Sequence, residues 1–306
     1  MRWPAPKEGQ SATSGDRHRG QRLVLNAQQT PIDAMTMRVA DARSTEGCER
    51  RHRAHRPEAA IAHDPLVLIT CEHAGKKVPA DYRALFHGQD ALLDTHRGWD
   101  PGALILAREM AAAFRAPLFY SETTRLLIDL NRSIGNPELY SEFSRPLPVR
   151  TRREIVERHY RAHHEPIEVW LRDAVAAGRR VIHIASHSFT PELNGRVRTA
   201  DIGFLYDPGR PGEVALSSHW IDALRAARPD LRLRRNYPYL GKSDGLTFRT
   251  RRVYPDERYV GIELEVNQQF VRTGGRPWPR LRAALIETLA IALKQDRTAF
   301  RSSRAA

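Results

Sequence analysis

Cysteine is scarce in this sequence: among 306 residues only Cys48 and Cys71 occur, and they lie in regions of different character. Two such residues provide neither a disulfide framework nor a CxxC metal site. No stretch approaches the roughly 18 consecutive apolar residues of a membrane helix, and the first 30 residues lack the apolar core of a secretory signal. We therefore expect a cytoplasmic protein without a membrane segment.

Acidic residues are outnumbered by basic ones. The chain has 36 Asp and Glu against 49 Lys and Arg, a formal net charge of +13, which suggests an anionic partner. The excess is mostly arginine spread over predicted helices and tails, without the basic block interleaved with aromatics that is typical of nucleic-acid-binding proteins. We therefore expect a small anionic substrate and not nucleic acid. The sequence does not indicate an oligomeric state.

The predicted domain boundaries follow changes in composition. Residues 1–60 combine scattered Pro, Gly and Ser with the arginine-rich run GCERRHRAHRP and have no sustained apolar period, which predicts a disordered extension. We expect a catalytic domain over residues 61–296 and a flexible basic tail over residues 297–306.

Within the predicted domain, short apolar runs alternate with amphipathic stretches. The apolar runs predict strands over 66–70, 125–130, 180–186, 201–206, 231–235 and 259–266. The amphipathic stretches predict helices over 101–114, 151–177, 213–227 and 277–294. The second of these helices opens with a TxxE capping box at Thr151 and Glu154. Strands separated by helices predict an α/β sheet that is covered on both faces.

Polar clusters follow four of the predicted strands, with the sequences CEHAG, NRS, HSF and EVNQ. In open α/β sheets, functional groups gather beyond the carboxyl ends of the strands. His73 and His187 could therefore meet at one point, and two histidines with one carboxylate form a ligand set of catalytic zinc sites. Alternatively, each histidine is a hydrogen-bonded residue that only terminates its strand.

Three carboxylates are candidates for the third metal ligand: Glu72, Asp94 and Asp100. Glu72 precedes His73 in an extended segment, so its side chain should point to the opposite face. Asp100 stands before a Pro-Gly pair at the start of a predicted helix, where it could be an N-cap, a ligand or both. The residues alone leave the third ligand open.

Two further motifs carry candidate functional groups. In IDLNRS, Asn131 and Arg132 follow an apolar run, and the planar guanidinium suits a bidentate carboxylate. A turn-forming asparagine and a surface ion pair are the alternatives. In GIELEVNQ, Glu263 and Glu265 share one strand face. Glu265 is nearer the strand end and is the better candidate for a general base, unless the strand lies at a sheet edge with a solvated face.

Seven motifs, in order, resemble those of the N-formylglutamate amidohydrolase family. They are CEHAG, DTHRGWDPGA, RLLIDLNRS, HYRAHHEPI, SHSFTP with NGRVRTADIG downstream, NYPYLGKSDG and GIELEVNQ. The resemblance covers about residues 65–295. It implies a zinc-dependent hydrolase with a fold similar to the zinc carboxypeptidases, a single three-layer α/β domain in which helices flank a mixed central sheet.

The same resemblance implies roles for individual residues. His73, His187 and Asp100 resemble the metal ligands, Asn131 and Arg132 the pair that grips a substrate carboxylate, and Glu265 the catalytic glutamate. One segment departs from the family pattern, because enzymes shown to cleave N-formylglutamate commonly have Pro-His-Ser-Gly where this chain has Glu72–Gly75. The departure bears on substrate specificity more than on the chemistry.

We therefore expect a Zn²⁺-dependent amidohydrolase that removes a formyl or other small acyl group from an acidic amino acid such as N-formyl-L-glutamate. Glu265 would take the proton of the attacking water, and Arg132 would hold the α-carboxylate. A second carboxylate needs another cation. Arg196, Arg198 and Arg97 are candidates that the sequence does not rank, and Arg196 is the one assigned here. The alternatives are an N-acyl amino acid deacylase, a small-peptide amidase, or a non-catalytic basic protein that binds anions or nucleic acid.

Overall fold

The computed structural model describes residues 64–272 and 277–305, with side chains described up to residue 298. The predicted extension over residues 1–60 lies outside the described residues, and its disorder stays a prediction.

A mixed sheet of six strands forms the centre of the fold, in the order β2-β1-β3-β8-β6-β7, and β4 with β5 forms a separate two-stranded hairpin. The strands are β1 (Leu66–Cys71), β2 (Leu118–Tyr120), β3 (Val181–Phe189), β4 (Glu192–Leu193), β5 (Arg196–Val197), β6 (Ile202–Leu205), β7 (Leu233–Arg235) and β8 (Tyr259–Asn267). β2, β1, β3 and β8 are parallel. β6 runs antiparallel to β8, and β7 is parallel to β6.

The helices cover both faces of this sheet. They are α1 (Asp90–Leu93), α2 (Ala103–Phe114), α3 (Val149–Ile155), α4 (Ala162–Ala176), α5 (Pro211–Ala227), α6 (Leu246–Val253), α7 (Gln269–Arg272) and α8 (Pro277–Ala305). A 3₁₀ helix spans Ala80–Phe86, and a π-helical segment over Val156–Arg161 joins α3 to α4. Among the described helices, none combines the length and the apolar character needed to cross a membrane.

Alternating side chains of the central strands pack against different helical layers. Ile184 of β3 and Ile262 of β8 belong to the largest apolar cluster, which α2, α5 and α8 complete. Leu68 and Tyr259 point to the other face, where they pack with residues of α4 and α6. Strands buried on both faces require helices on both sides of the sheet. The predicted fold class, an α/β domain with a mixed sheet flanked by helices, is confirmed.

The strand predicted over residues 125–130 does not form. This segment is a series of turns in which Arg125 N donates to Gly98 O at 3.2 Å, and Leu127 N donates to Thr124 O at 3.0 Å. Its apolar side chains, including Ile128, are buried in a second cluster with the 3₁₀ helix and α3. A short apolar run indicates burial, but it does not distinguish a strand from a buried loop.

Two helix boundaries also differ from those predicted. The helix predicted to start with a capping box at Thr151 begins at Val149 instead, after Pro148, and it has no side-chain cap. Glu154, the other half of the predicted box, lies 3.2 Å from Arg150 in an exposed ion pair. At the other end of the chain, α8 continues to Ala305 and so runs through most of the predicted tail. The flexibility of that tail and the domain limits 61–296 stay predictions.

Candidate metal centre and active site

The candidate site lies at the carboxyl ends of three adjacent parallel strands. His73 follows β1, His187 lies near the end of β3, and Glu265 lies near the end of β8. Asp100 reaches the same edge from the loop before α2, where its backbone N–H donates to His73 O at 3.0 Å. The helix N-cap is Gly102 and not Asp100, so the carboxylate of Asp100 is available to the histidines.

His73, Asp100 and His187 form a buried cluster whose ligand atoms all lie within 4.8 Å of one another. The Nδ1 atoms of both histidines face the same oxygen, Asp100 Oδ2, at 3.4 Å from His73 and 3.0 Å from His187. Two imidazole nitrogens and a carboxylate oxygen form a donor set that suits zinc and leaves a coordination position open. The structure thus brings together the three residues predicted as metal ligands.

A carboxylate faces the outer ring nitrogen of each histidine. Asp129 Oδ1 lies 2.7 Å from His73 Nε2, and Glu72 Oε2 lies 3.0 Å from His187 Nε2. Metal-binding histidines usually donate their second ring N–H to such a partner, which fixes the tautomer and the ring orientation. The arrangement therefore fits a metal ion on the Nδ1 side. Glu72 lies outside the three-residue cluster, and Asp94 forms an exposed ion pair with Lys76.

The charges of the cluster compensate one another. Burial alone would raise the pKa of Asp100, but His73, His187 and Arg125 hold that pKa below its usual range. Burial likewise opposes the charged form of His187, yet Asp100 and Glu72 raise the pKa of its imidazole well above the ordinary value.

Sequence reasoning missed two residues of this cluster, Arg125 and Asp129. The Arg125 guanidinium lies 2.7 Å from Asp129 Oδ2 and 3.4 Å from Asp100 Oδ1. Burial would raise the pKa of Asp129, but Arg125 and His73 hold it well below its usual range. Both residues belong to the segment predicted as a strand, and that prediction gave no reason to place their side chains beside the histidines. The one available signal was an acidic residue two positions before Asn131.

Glu265 has the surroundings of a general base. It faces its register partner His187 across β8 and β3, is 5% exposed, and its Oε2 has no hydrogen-bond partner among the described residues. Burial raises the pKa of Glu265 to about 8, with His187 opposing the shift and the carboxylate of Asp100 supporting it. A metal ion next to this carboxylate would lower that pKa. β8 is an interior strand, so the alternative of a solvated edge strand is wrong.

The neighbouring acid Glu263 has a different environment. Its Oε1 accepts a 2.5 Å hydrogen bond from Thr247 Oγ1 on α6.

Gly203 of β6 lies against Glu265, and a Cβ atom there would come within 1.8 Å of Tyr237 O and 3.3 Å of Glu265 Cβ. Only glycine at this position allows the chain near Tyr237 to pass so close to Glu265.

Asn131 and Arg132 lie in a tightly bonded loop instead of at a strand end. Asn131 Oδ1 accepts from Leu246 N at 2.8 Å, at the start of α6. The Arg132 guanidinium donates to Asp244 O at 3.2 Å and to Glu138 at 3.1 Å. The loop is thus ordered by its own polar contacts, and a substrate-binding role for these residues stays a prediction.

The backbone of this loop is clamped from the α4 side. Tyr160 OH donates to Arg132 O at 2.9 Å, and Arg249 Nη1 donates to the same oxygen at 3.0 Å. His164 Nε2 lies 2.9 Å from Leu130 O. Tyr160 comes from the π-helical segment between α3 and α4, His164 from α4, and Arg249 from α6.

The three cations considered for a second carboxylate have different positions. Arg196 is exposed on β5, and no contact joins it to the described residues of the cluster. Arg97 forms an exposed 2.5 Å ion pair with Glu142. Arg198 is partly buried, lies 5.1 Å from the Tyr239 ring centroid and 5.9 Å from that of Phe189, and has no acidic partner among the described residues. The choice of Arg196 stays a prediction.

The fold and the buried His–Asp–His cluster define an α/β protein with a candidate metal centre of the kind that hydrolases use. The sequence pattern of the N-formylglutamate amidohydrolase family matches residues 66–272. The chain therefore belongs to the N-formylglutamate amidohydrolase family, a family of hydrolases, as its motifs predict.

Two solved structures share this fold. The gene product Atu2144 from Agrobacterium tumefaciens is 29% identical, with a TM-score of 0.64 over 76% of this chain and 92% of that one. N-formylglutamate amidohydrolase from Ralstonia eutropha JMP134 is 18% identical, with a TM-score of 0.58 over 78% of this chain and 96% of that one, and bears on the fold alone. A metallo-carboxypeptidase from Pseudomonas aeruginosa, at 16% identity and a TM-score of 0.35, is too distant to carry an argument. A comparison with curated proteins found no match.

Proposed function

We propose that the protein is a zinc-dependent amidohydrolase that cleaves the N-formyl group, or another small N-acyl group, from an acidic amino acid such as N-formyl-L-glutamate. The observation that carries the proposal is the convergence of His73 Nδ1 and His187 Nδ1 on Asp100 Oδ2, at 3.4 and 3.0 Å, in a member of this family. A zinc ion held there would supply the Lewis acidity that such a reaction needs.

Glu265 is the residue we assign to proton transfer. It would take a proton from the attacking water and return it to the leaving amine. Its burial and its Oε2 atom support this role, because no group among the described residues forms a hydrogen bond with that oxygen. Glu263 is less suited, since its carboxylate is already bonded to Thr247.

The arginines of the neighbouring loops support an anionic substrate. Asn131 and Arg132 are assigned to the α-carboxylate, where a guanidinium can bind both oxygens. For a second carboxylate, Arg198 has the better position because it is partly buried and unpaired among the described residues, while Arg196 is exposed. Both remain candidates. A basic protein that only binds anions would not need a buried cluster of two histidines backed by carboxylates.

We also propose that the protein acts in the cytoplasm. Cys71 is a buried free thiol, and burial raises its pKa well above the ordinary value. Such a thiol is inert and fits a reducing compartment.

The test is a hydrolysis screen on protein whose zinc content has been measured. We expect release of formate from N-formyl-L-glutamate, slower release of acetate from N-acetyl-L-glutamate, and weak cleavage of N-formyl-L-leucine, which lacks the second carboxylate. Chelation should abolish the activity and added Zn²⁺ should restore it. A zinc-loaded protein that cleaves none of these amides would contradict the proposal. Preference for N-acetyl-L-glutamate or N-formyl-L-leucine would indicate a deacylase with another specificity.

A further inference from the structure

Glu72 is a fully buried carboxylate that the reaction proposed above does not use. It is 0% exposed, and among the described residues two histidines face it, with Oε2 at 3.0 Å from His187 Nε2 and Oε1 at 3.9 Å from His163 Nε2. Neither approach has the geometry of a hydrogen bond. Within the described part of the chain, no lysine or arginine pairs with it. An isolated carboxylate would be costly to bury in this way, and the two imidazoles are the nearest groups that can offset that cost.

The position of Glu72 follows from the pleat of β1. Leu68 points to the α4 side of the sheet, whereas Ile69 and Cys71 point to the opposite side. Glu72, an even number of residues after Leu68, therefore points to the α4 side, where His163 of α4 meets it. His187 of the neighbouring strand β3 lies between two carboxylates, with Nδ1 at Asp100 and Nε2 at Glu72.

The two candidate ligand histidines are supported in parallel ways. Behind His73 stands Asp129, whose charge is balanced by Arg125 at 2.7 Å. Behind His187 stands Glu72, which has only His163 on its far side. The 3.9 Å separation is too long for a hydrogen bond, so His163 acts on Glu72 electrostatically. Among the described residues, His187 and His163 are thus the groups that face the Glu72 carboxylate.

We propose that Glu72, with His163 behind it, is a positioning pair for His187. The carboxylate beside Nε2 favours the tautomer that carries the proton on that nitrogen, and it leaves the lone pair of Nδ1 directed at the metal position beside Asp100. The inference rests on the metal centre of the proposed function. It assigns a role to two residues that would not bind the metal themselves.

The test measures Zn²⁺ affinity by competition with a chromogenic chelator, without substrate. Glu72→Gln keeps an acceptor oxygen but loses the charge, and Glu72→Met loses both. Partners of this kind are typically worth roughly 10- to 100-fold in metal affinity, so we expect about 10-fold weaker binding for Gln and about 100-fold for Met. Glu263→Gln is the matched control, because it neutralises another buried glutamate of the sheet that does not contact the histidines, and its Zn²⁺ affinity should equal that of the parent.

A second readout separates positioning from a general loss of structure. In the zinc-loaded parent, the ¹⁵N signals of the His187 ring should show a protonated Nε2 in slow exchange with solvent. In Glu72→Met that protection should be lost while the His73 signals stay unchanged. His163→Leu should weaken Zn²⁺ binding less than Glu72→Met does.

The outcomes distinguish this inference from the proposed function. If the parent binds Zn²⁺ and Glu72→Gln binds it equally tightly, the positioning role is wrong and the metal centre stands. This variant keeps the volume of Glu72, so it decides the matter even where Glu72→Met does not fold. A parent that binds no Zn²⁺ overturns both.

Discussion

Replacing Glu265 by glutamine tests whether this residue, and no other acid of the site, is the general base. The substitution keeps the size of the side chain, and Glu265 Oε2 has no hydrogen bond to lose among the described residues. Because the parent side chain is a buried acid, the neutral variant should unfold at a temperature no lower than the parent. Zinc content should also stay the same, since the two ring Nδ1 atoms and Asp100 Oδ2 are untouched.

The expected loss is confined to turnover. General-base catalysis typically contributes 10²- to 10⁴-fold, so kcat of Glu265→Gln should fall by at least ~100-fold. This corresponds to about 2.7 kcal/mol of transition-state stabilisation. KM should change little, because the carboxylate of Glu265 is assigned no part in binding the substrate anion.

Glu263→Gln is the comparison that makes the result specific. Its amide oxygen can still accept the hydrogen bond from Thr247 Oγ1, which the parent makes at 2.5 Å, so activity should stay within a few-fold of the parent. The assay is steady-state hydrolysis of N-formyl-L-glutamate on protein of measured zinc content. Near-parent turnover by Glu265→Gln, together with an inactive and zinc-replete Glu263→Gln, would refute the assignment of the base.

Three other changes test the neighbouring parts of the site. Arg132→Lys keeps the charge but loses the planar guanidinium. We therefore expect kcat/KM to fall about 10-fold or more for acyl amino acids and much less for an amide without the carboxylate. An equal loss on both substrates would indicate a structural role. Tyr160→Phe removes one of the two donors to Arg132 O, and we expect KM to rise while zinc content and kcat change little; unchanged kinetics would contradict the importance of the clamp. Deletion of residues 1–60 should leave the thermal transition and the activity nearly unchanged, whereas an insoluble or inactive product would show that this segment packs on the domain.

The histidines and Glu265 could be predicted because they follow from strand geometry. Parallel strands end at one edge of a sheet, so His73, His187 and Glu265 had to be close once β1, β3 and β8 were adjacent. The apolar runs of these strands are long and buried on both faces, which made them easy to recognise. Local sequence was enough because the position of each side chain is set by its own strand.

The loop residues could not be predicted in the same way. Arg125 and Asp129 reach the cluster through turns whose backbone bonds, such as Leu127 N to Thr124 O, leave no periodic pattern in the sequence. The contact of Glu72 with His163 joins β1 to α4 across 91 positions of the chain, and it depends on how that helix packs on the sheet. The placement of Arg198 between Phe189 and Tyr239 likewise depends on how the loop that carries Arg198 meets the loop that carries Tyr239 at the end of β3. These features are tertiary, so residue type and spacing alone do not determine them.

The most direct test of the zinc-centred site is the zinc content of the parent and of the His73→Ala, His187→Ala double variant, measured on folded protein after dialysis against buffered Zn²⁺. Both ring Nδ1 atoms face Asp100 Oδ2, at 3.4 and 3.0 Å, and removing them leaves one carboxylate of the three-residue set. We predict about one zinc ion per chain in the parent and almost none in the double variant, with hydrolysis lost in parallel. Near-normal zinc in the double variant would contradict the site.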